Sequence, residues 1–242
     1  PLWATKLFGS SEPTTIYIKK PPVEYLLNSL KTQYYKTYCS WVLIIKLTLS
    51  GDIETNPGPK DKIDLMVITQ NCRGLNDTTK LRNLLNKIYN KVKNTETSII
   101  MLQETMLIAP DILKFMWRGQ YVFTPGAGNA RGCITLCPNY CSISNIQHIS
   151  DRGHIFKVRL NQTAKTCVVV NLYAPTTKSE EKTKFFHDIE SKTLDSRDID
   201  DDLIIAGDFN TPLNPSEVYK RSFDKIAKKQ AEALNQVLNR LD

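Results

Sequence analysis

The chain has 242 residues, of which 24% are charged and 41% hydrophobic, and a formal net charge of +7. This is the composition of a soluble globular protein with room for one large domain, or one domain and an appendage. It excludes a membrane-spanning helix: the longest apolar run, Trp41 to Leu49, is interrupted by Lys46 and falls far short of the ~20 residues a span needs.

The basic balance fits a polyanionic partner such as nucleic acid, or simply a basic surface. Cys39, Cys72, Cys133, Cys137, Cys141 and Cys167 show no small-scaffold disulfide pattern, and several sit in apolar stretches. They read as reduced thiols in an intracellular compartment. Cys133, Cys137 and Cys141 are evenly spaced, but no CxxC pair or neighbouring ligand histidine completes a zinc set, so they read as small buried hydrophobes. The sequence opens at Pro1 and its first methionine is Met66, so further sequence is expected upstream.

In chain order, residues 1–60 are rich in Tyr, Thr, Lys and Pro, with Lys19-Lys20-Pro21-Pro22 as a linker. From Val23 to Leu49 the apolar spacing is loosely helical, with Val23, Leu26, Leu27, Leu30 and Tyr34 on one face. The leader is expected to be irregular or helical. Leu65–Thr69 reads as a strand. Thr78 or Thr79 can cap a helix striped by Leu81, Leu84, Leu85, Ile88 and Val92. Ser98–Leu102, Val168–Leu172 and Leu203–Ala206 are continuous apolar runs of buried-strand type. Cys133–Cys137 and Phe156–Leu160 also read as strands, the latter with Lys157 and Arg159 outward. Helices are expected from about Ser179 to Leu194, and at the C-terminal end through Phe223, Ile226, Ala227, Leu234, Val237, Leu238 and Leu241. The acidic run Asp200-Asp201-Asp202 reads as a solvated turn. Buried strands, half-buried strands and amphipathic helices together predict an α/β sandwich.

Four strands end on polar tips: Gln70-Asn71, Gln103-Glu104-Thr105, Asn171 to Pro175, and Gly207-Asp208-Phe209-Asn210. Glu104 at the tip of a buried strand can hold Mg²⁺, and Asn71 can orient it or a water. Gly207 lets the chain turn after its strand. Asp208 and Asn210, two apart, share a side if the backbone stays extended. One can polarise a water while the other fixes a phosphate oxygen. The Tyr173 phenol can donate to a phosphate as charge builds. Singly, each also reads as a strand-end cap, a turn or an interface aromatic. Together they point to metal-assisted phosphodiester chemistry.

In order and spacing, these tips resemble the exonuclease–endonuclease–phosphatase superfamily, over about residues 62–242. Gly207 to Asn214, then Arg221-Ser222 and the Ala233-Leu234-Asn235 helix, are similar to the endonuclease domain of LINE-type (non-LTR) retrotransposons, and Ile68–Leu75, Leu102–Thr105 and Val170–Pro175 fit the same family. The resemblance implies a four-layer α/β sandwich of two mixed β-sheets flanked by helices, with the domain at 59–242 and the leader at 1–58. It implies that Glu104 and Asn71 serve Mg²⁺ (or Mn²⁺), Tyr173 contacts the phosphate, Asp208 handles the proton of the nucleophile or leaving group, and Asn210 orients the phosphate. The family's late Asp and its Ser-Asp-His motif are expected beyond Asp242, since His148, His154 and His187 come too early to replace them. His154 reads as structural or near the surface.

A second resemblance is independent. Gly51-Asp52-Ile53-Glu54-Thr55-Asn56-Pro57-Gly58-Pro59 is similar to the 2A ribosome-skipping peptide through Asp52, Glu54, Asn56, Pro57, Gly58 and Pro59. As plain turn chemistry, Asn-Pro-Gly-Pro also suits a linker. The 2A resemblance implies an apolar nascent helix, Trp41–Leu49, above a tight turn, failed peptide transfer from Gly58, and resumed translation at Pro59. The expected function is metal-dependent nicking of target DNA, leaving a 3′-hydroxyl that primes reverse transcription of the element's RNA by a downstream reverse transcriptase. No membrane partner is implied. Synthesis is expected in the cytoplasm and nicking in the nucleus. A host apurinic-site repair endonuclease and an inactive, truncated relic that at most binds DNA are the alternatives.

Overall fold

The structure is a computed structural model that describes residues 2–5, 14–19, 31–36, 41–50, 62–93, 97–160, 166–177, 180–211 and 225–241. Among the described residues, twelve strands form two six-stranded sheets. The first runs β1 (Leu2–Thr5), β2 (Thr14–Lys19), β12 (Asp202–Asp208), β11 (Thr166–Tyr173), β10 (Gly153–Leu160), β9 (Cys141–His148). The second runs β3 (Lys31–Lys36), β4 (Trp41–Ser50), β5 (Lys62–Asn71), β6 (Thr97–Gln103), β8 (Cys133–Cys137), β7 (Gln120–Thr124). Both are mixed. β5–β6 and β11–β12 are parallel, each joined through a crossover helix, and the other pairs are antiparallel.

Side chains alternate along these strands, and the alternation sorts them into three cores. Leu65, Val67, Ile99 and Met101 of one sheet meet Phe156, Val158, Val169, Ile204 and Ala206 of the other. Ile68, Ile100 and Leu102 turn to the outer face, against Leu81, Leu85 and Ile88 of α1 (Thr78–Val92) and Leu113 of α2 (Asp111–Met116). Val168, Val170, Leu203 and Ile205 turn outward against Phe185, Phe186 and Ile189 of α3 (Glu180–Ser196) and Leu234, Val237, Leu238 and Leu241 of α4 (Lys225–Leu241). The result is helix, sheet, sheet, helix, as the resemblance implies.

Several local expectations are corrected. Residues 31–36 and 41–50 of the leader are strands, with β4 pairing β5 and β2 pairing β12. Their β-branched and aromatic content suits a strand, and helical spacing does not reveal a partner strand. The cap of α1 is Asp77, whose carboxylate accepts from the Thr79 and Lys80 amides at 2.8 and 3.3 Å. Lys157 is buried, with its ammonium 2.6 Å from Asp201. Asp201 is itself buried, so that turn is an ion-pair anchor and not a solvated one. Gly207 lies inside β12, not at a turn after it. Among the described residues Cys72, Cys133, Cys137, Cys141 and Cys167 are free and buried, as small hydrophobes would be. Asp52, Glu54, Asn56, Pro57, Gly58 and Pro59, and residues 212–224, lie outside the described residues.

Candidate active site at the mouth between the sheets

The strand parity that fills the central core with apolar side chains also places the polar tips. Leu65 and Val67 face the other sheet, so Asn71 at the end of β5 does too. By the same count Tyr173 follows Cys167 and Val169 on β11, and Asp208 follows Ile204 and Ala206 on β12. The central layer is therefore dry at one end and polar at the other.

Asn71 and Asp208 meet across the two sheets, the Asn71 amide donating to Asp208 Oδ2 at 3.0 Å. The other carboxylate oxygen, Oδ1, accepts from the Asn210 backbone amide at 2.9 Å. Asp208 is fully buried and Asn71 nearly so. Asn210 has φ +46, so the chain is not extended there. The shared side expected for Asp208 and Asn210 gives way to a tight turn, and the Asn210 side chain instead donates to the Ala174 carbonyl at 2.8 Å. Asn71 engages Asp208 and, through Oδ1, the Arg73 amide.

Glu104 follows β6 directly, with φ +50, a conformation uncommon outside glycine. Backbone bonds fix it. Gly74 N donates to Glu104 O at 2.7 Å, and Thr105 N to Gly132 O at 3.1 Å. Among the described residues, no hydrogen bond or ion pair engages its half-buried carboxylate. Among the described residues, the buried hydroxyl of the next residue, Thr105, has no hydrogen-bond partner, as is also so for Thr193 and Thr211 elsewhere. A half-buried carboxylate without a partner among the described residues, at the end of a buried strand, fits a hard cation that keeps most of its ligands as water. No group of three His, Cys, Asp or Glu able to hold a metal occurs among the described residues.

Beneath the mouth lies a buried polar layer. Gln103 donates to Asn171 Oδ1 at 2.8 Å and to Thr69 Oγ1 at 3.1 Å. Asn171 donates to Thr135 Oγ1 at 3.0 Å. His154 lies between Thr135 (2.7 Å) and Thr124 (2.8 Å). Thr124 also donates to the Gly153 carbonyl, so it accepts from His154 Nδ1–H, and Thr135 donates to Nε2. Burial, with help from His148, pushes this imidazole down to about 3. It is a neutral structural group and buried, not a surface one. Burial likewise pushes the Cys72 thiol up to about 12.

Three cations that sequence patterns did not single out hold the tips. Lys80 Nζ donates to the Cys72 and Arg73 carbonyls at 2.9 and 3.1 Å. Lys182, fully buried, donates to the Asn210 carbonyl at 2.7 Å. Arg152 lies 5.6 Å over the Tyr173 ring. For Lys182 a signal was available: it shares the helical stripe of Phe185, Phe186, Ile189 and Thr193, where a lysine needs a buried partner.

Residues 68–225 match the profile of the Endonuclease/Exonuclease/phosphatase family. Over 125 residues, 48% of this chain, the sequence is 30% identical to the "Transposon TX1 uncharacterized 149 kDa protein" of Xenopus laevis, and the match spans 9% of that protein. Two solved structures are similar. A humanized D. rerio TDP2 has a TM-score of 0.45 at 18% identity, over 62% of this chain and 63% of its own. C. elegans TDP2 has a TM-score of 0.46 at 15% identity, over 64% and 49%. The family match takes in well over half of the chain, which therefore belongs to the endonuclease/exonuclease/phosphatase family.

Proposed function

We propose that residues 59–242 form a metal-dependent DNA endonuclease domain of a non-LTR retrotransposon. It nicks one strand of target duplex and leaves a 3′-hydroxyl that primes reverse transcription of the element's RNA by a reverse transcriptase outside this chain. The observation that carries the reading is the meeting of Asn71 and Asp208 beside Glu104 and Tyr173 at one mouth. Family membership and the likeness to a transposon protein support it. The net charge of +7 suits a polyanionic substrate.

In this reading Glu104, with Asn71 beside it, holds Mg²⁺ or Mn²⁺, which supplies charge stabilisation at the phosphate. Asp208, with both oxygens already oriented by Asn71 and Asn210, takes the proton of the attacking water. The Tyr173 hydroxyl donates to a phosphate oxygen as negative charge develops. Lys182 and Ala174 hold the Asn210 turn so that the donor to Asp208 keeps its place. Asp52, Glu54, Asn56, Pro57, Gly58 and Pro59 act earlier, separating leader and domain during synthesis in the cytoplasm. Nicking then takes place in the nucleus.

A chain extended through the expected Ser-Asp-His segment should nick supercoiled plasmid in Mg²⁺. Glu104→Ala and Asp208→Ala should each lower the rate by about a hundredfold or more. Nicking that persists unchanged in both variants would overturn the site.

A further inference from the structure

The turn between β9 and β10 carries Asp151 and Arg152, and the loop before β8 brings Arg131 against it; among the described residues, of these two arginines Arg131 alone forms an ion pair with a carboxylate. Arg131 Nη1 lies 2.6 Å from Asp151 Oδ2. Arg152, the next residue after that aspartate, has no carboxylate in hydrogen-bonding contact among the described residues. Its strongest fixed contacts are with Tyr173. The guanidinium lies 5.6 Å over the ring, and the Tyr173 amide donates to the Arg152 carbonyl at 2.7 Å. The turn itself is held rigidly, because Gly132 N donates to Asp151 O at 3.0 Å and Met106 N to Arg131 O at 2.8 Å. Partial burial and the neighbouring Arg131 charge both press the Arg152 pKa downward. Asp151 and Glu181 act against these two effects from a distance, so the half-buried guanidinium has carboxylates in its surroundings but none in contact among the described residues, which leaves its donors able to take an anion.

We infer that Arg152, stacked on Tyr173, binds a phosphodiester group of the nucleic-acid strand held at the mouth, so that the two side chains form one anion site. The planar guanidinium presents donors in a fork that matches phosphate oxygens, and it is anchored by the Tyr173 ring and by the Tyr173 carbonyl, which accepts from Arg152 Nη1 at 3.4 Å. Arg131, neutralised by Asp151, serves as the wall that holds the turn. This inference rests on the nucleic-acid reading above and assigns a residue that reading did not use.

The test is binding of a fluorescent duplex oligonucleotide by the full chain in EDTA across a NaCl series. One lost phosphate contact should reduce the slope of log K against log salt by about 0.9. Arg152→Ala and Arg152→Gln, which keeps the stem against Tyr173, should both show that reduction, with affinity about tenfold weaker at low salt. Arg152→Lys should keep the slope while losing affinity, because charge is retained and the stacked fork is not. Arg159→Ala, exposed and roughly 23 Å away along β10, should leave the slope unchanged. Circular dichroism of each variant confirms the fold. A wild-type slope in Arg152→Gln overturns this inference and leaves the nucleic-acid reading standing. Absence of salt-dependent binding by the wild-type chain overturns both.

Discussion

Gly207 is demanded by a neighbour. A Cβ at this position would lie 1.9 Å from the Leu172 carbonyl oxygen, and φ is +150, so β11 and β12 can close only over a hydrogen atom. Gly207→Ala should therefore destabilise by more than the ~1 kcal/mol that such a replacement can gain at an unstrained glycine, read as a drop in the urea midpoint, and should move Asp208 with it. A midpoint unchanged from wild type would show that the strands separate cheaply. The glycine was visible in the sequence, but its reason was not, because the obstructing carbonyl is 35 positions away, at Leu172. His154 makes a second residue-scale prediction. Its folded pKa of about 3 lies below its ordinary 6.5. Between those values the unfolded chain takes up a proton that the folded chain refuses, so stability is full above about pH 6.5 and falls as pH drops toward 3. His154→Gln should flatten that part of a stability–pH profile measured by urea unfolding. A profile of unchanged steepness would remove His154 from the account.

At the scale of elements, α1 depends on a residue outside its own apolar stripe. Asp77→Ala removes the acceptor for the Thr79 and Lys80 amides and should cost about 1 kcal/mol. Thr78→Ala should cost less, and equal losses in the two variants would contradict the cap assignment. The helices and buried strands were legible because 3.6- and 2-residue periods are local signals. Cys133–Cys137 matches β8 residue for residue. The misreadings were tertiary. Lys157 looked outward by alternation, yet the loop after α3 folds Asp198 and Asp201 over it. The leader looked helical, yet the backbone of β4 pairs with β5 along Val42 to Ser50. Strands β7 and β9 and helix α2 were not anticipated, since β9 is mostly exposed on one face and α2 spans six residues.

For the whole molecule, leader and domain form one chain whose separation is a separate proposal with its own measurement. A reporter fused across residues 40–60 should yield two translation products, and Pro59→Ala should restore a single full-length one. A single band from the unaltered sequence would refute skipping. The candidate site was legible as a set of strand tips because strand parity carries polar ends to one rim, and the Asn71–Asp208 hydrogen bond across the sheets is one meeting that parity allows. What parity could not supply is the order in which the rim is fastened. Backbone bonds run from Cys72 to Gln103, from Thr105 to Gly132, from Gly132 to Asp151, from Tyr173 to Arg152 and from Ala174 to Asp208, and the Asn71–Asp208 side-chain bond closes the loop across 137 residues. Such a hoop has no local nucleus. Each fastening joins segments remote in sequence, and long closures form late and slowly. A nascent or partly folded chain therefore carries Asn71 and Asp208 without their pairing, and the rim they close arrives only with the completed fold.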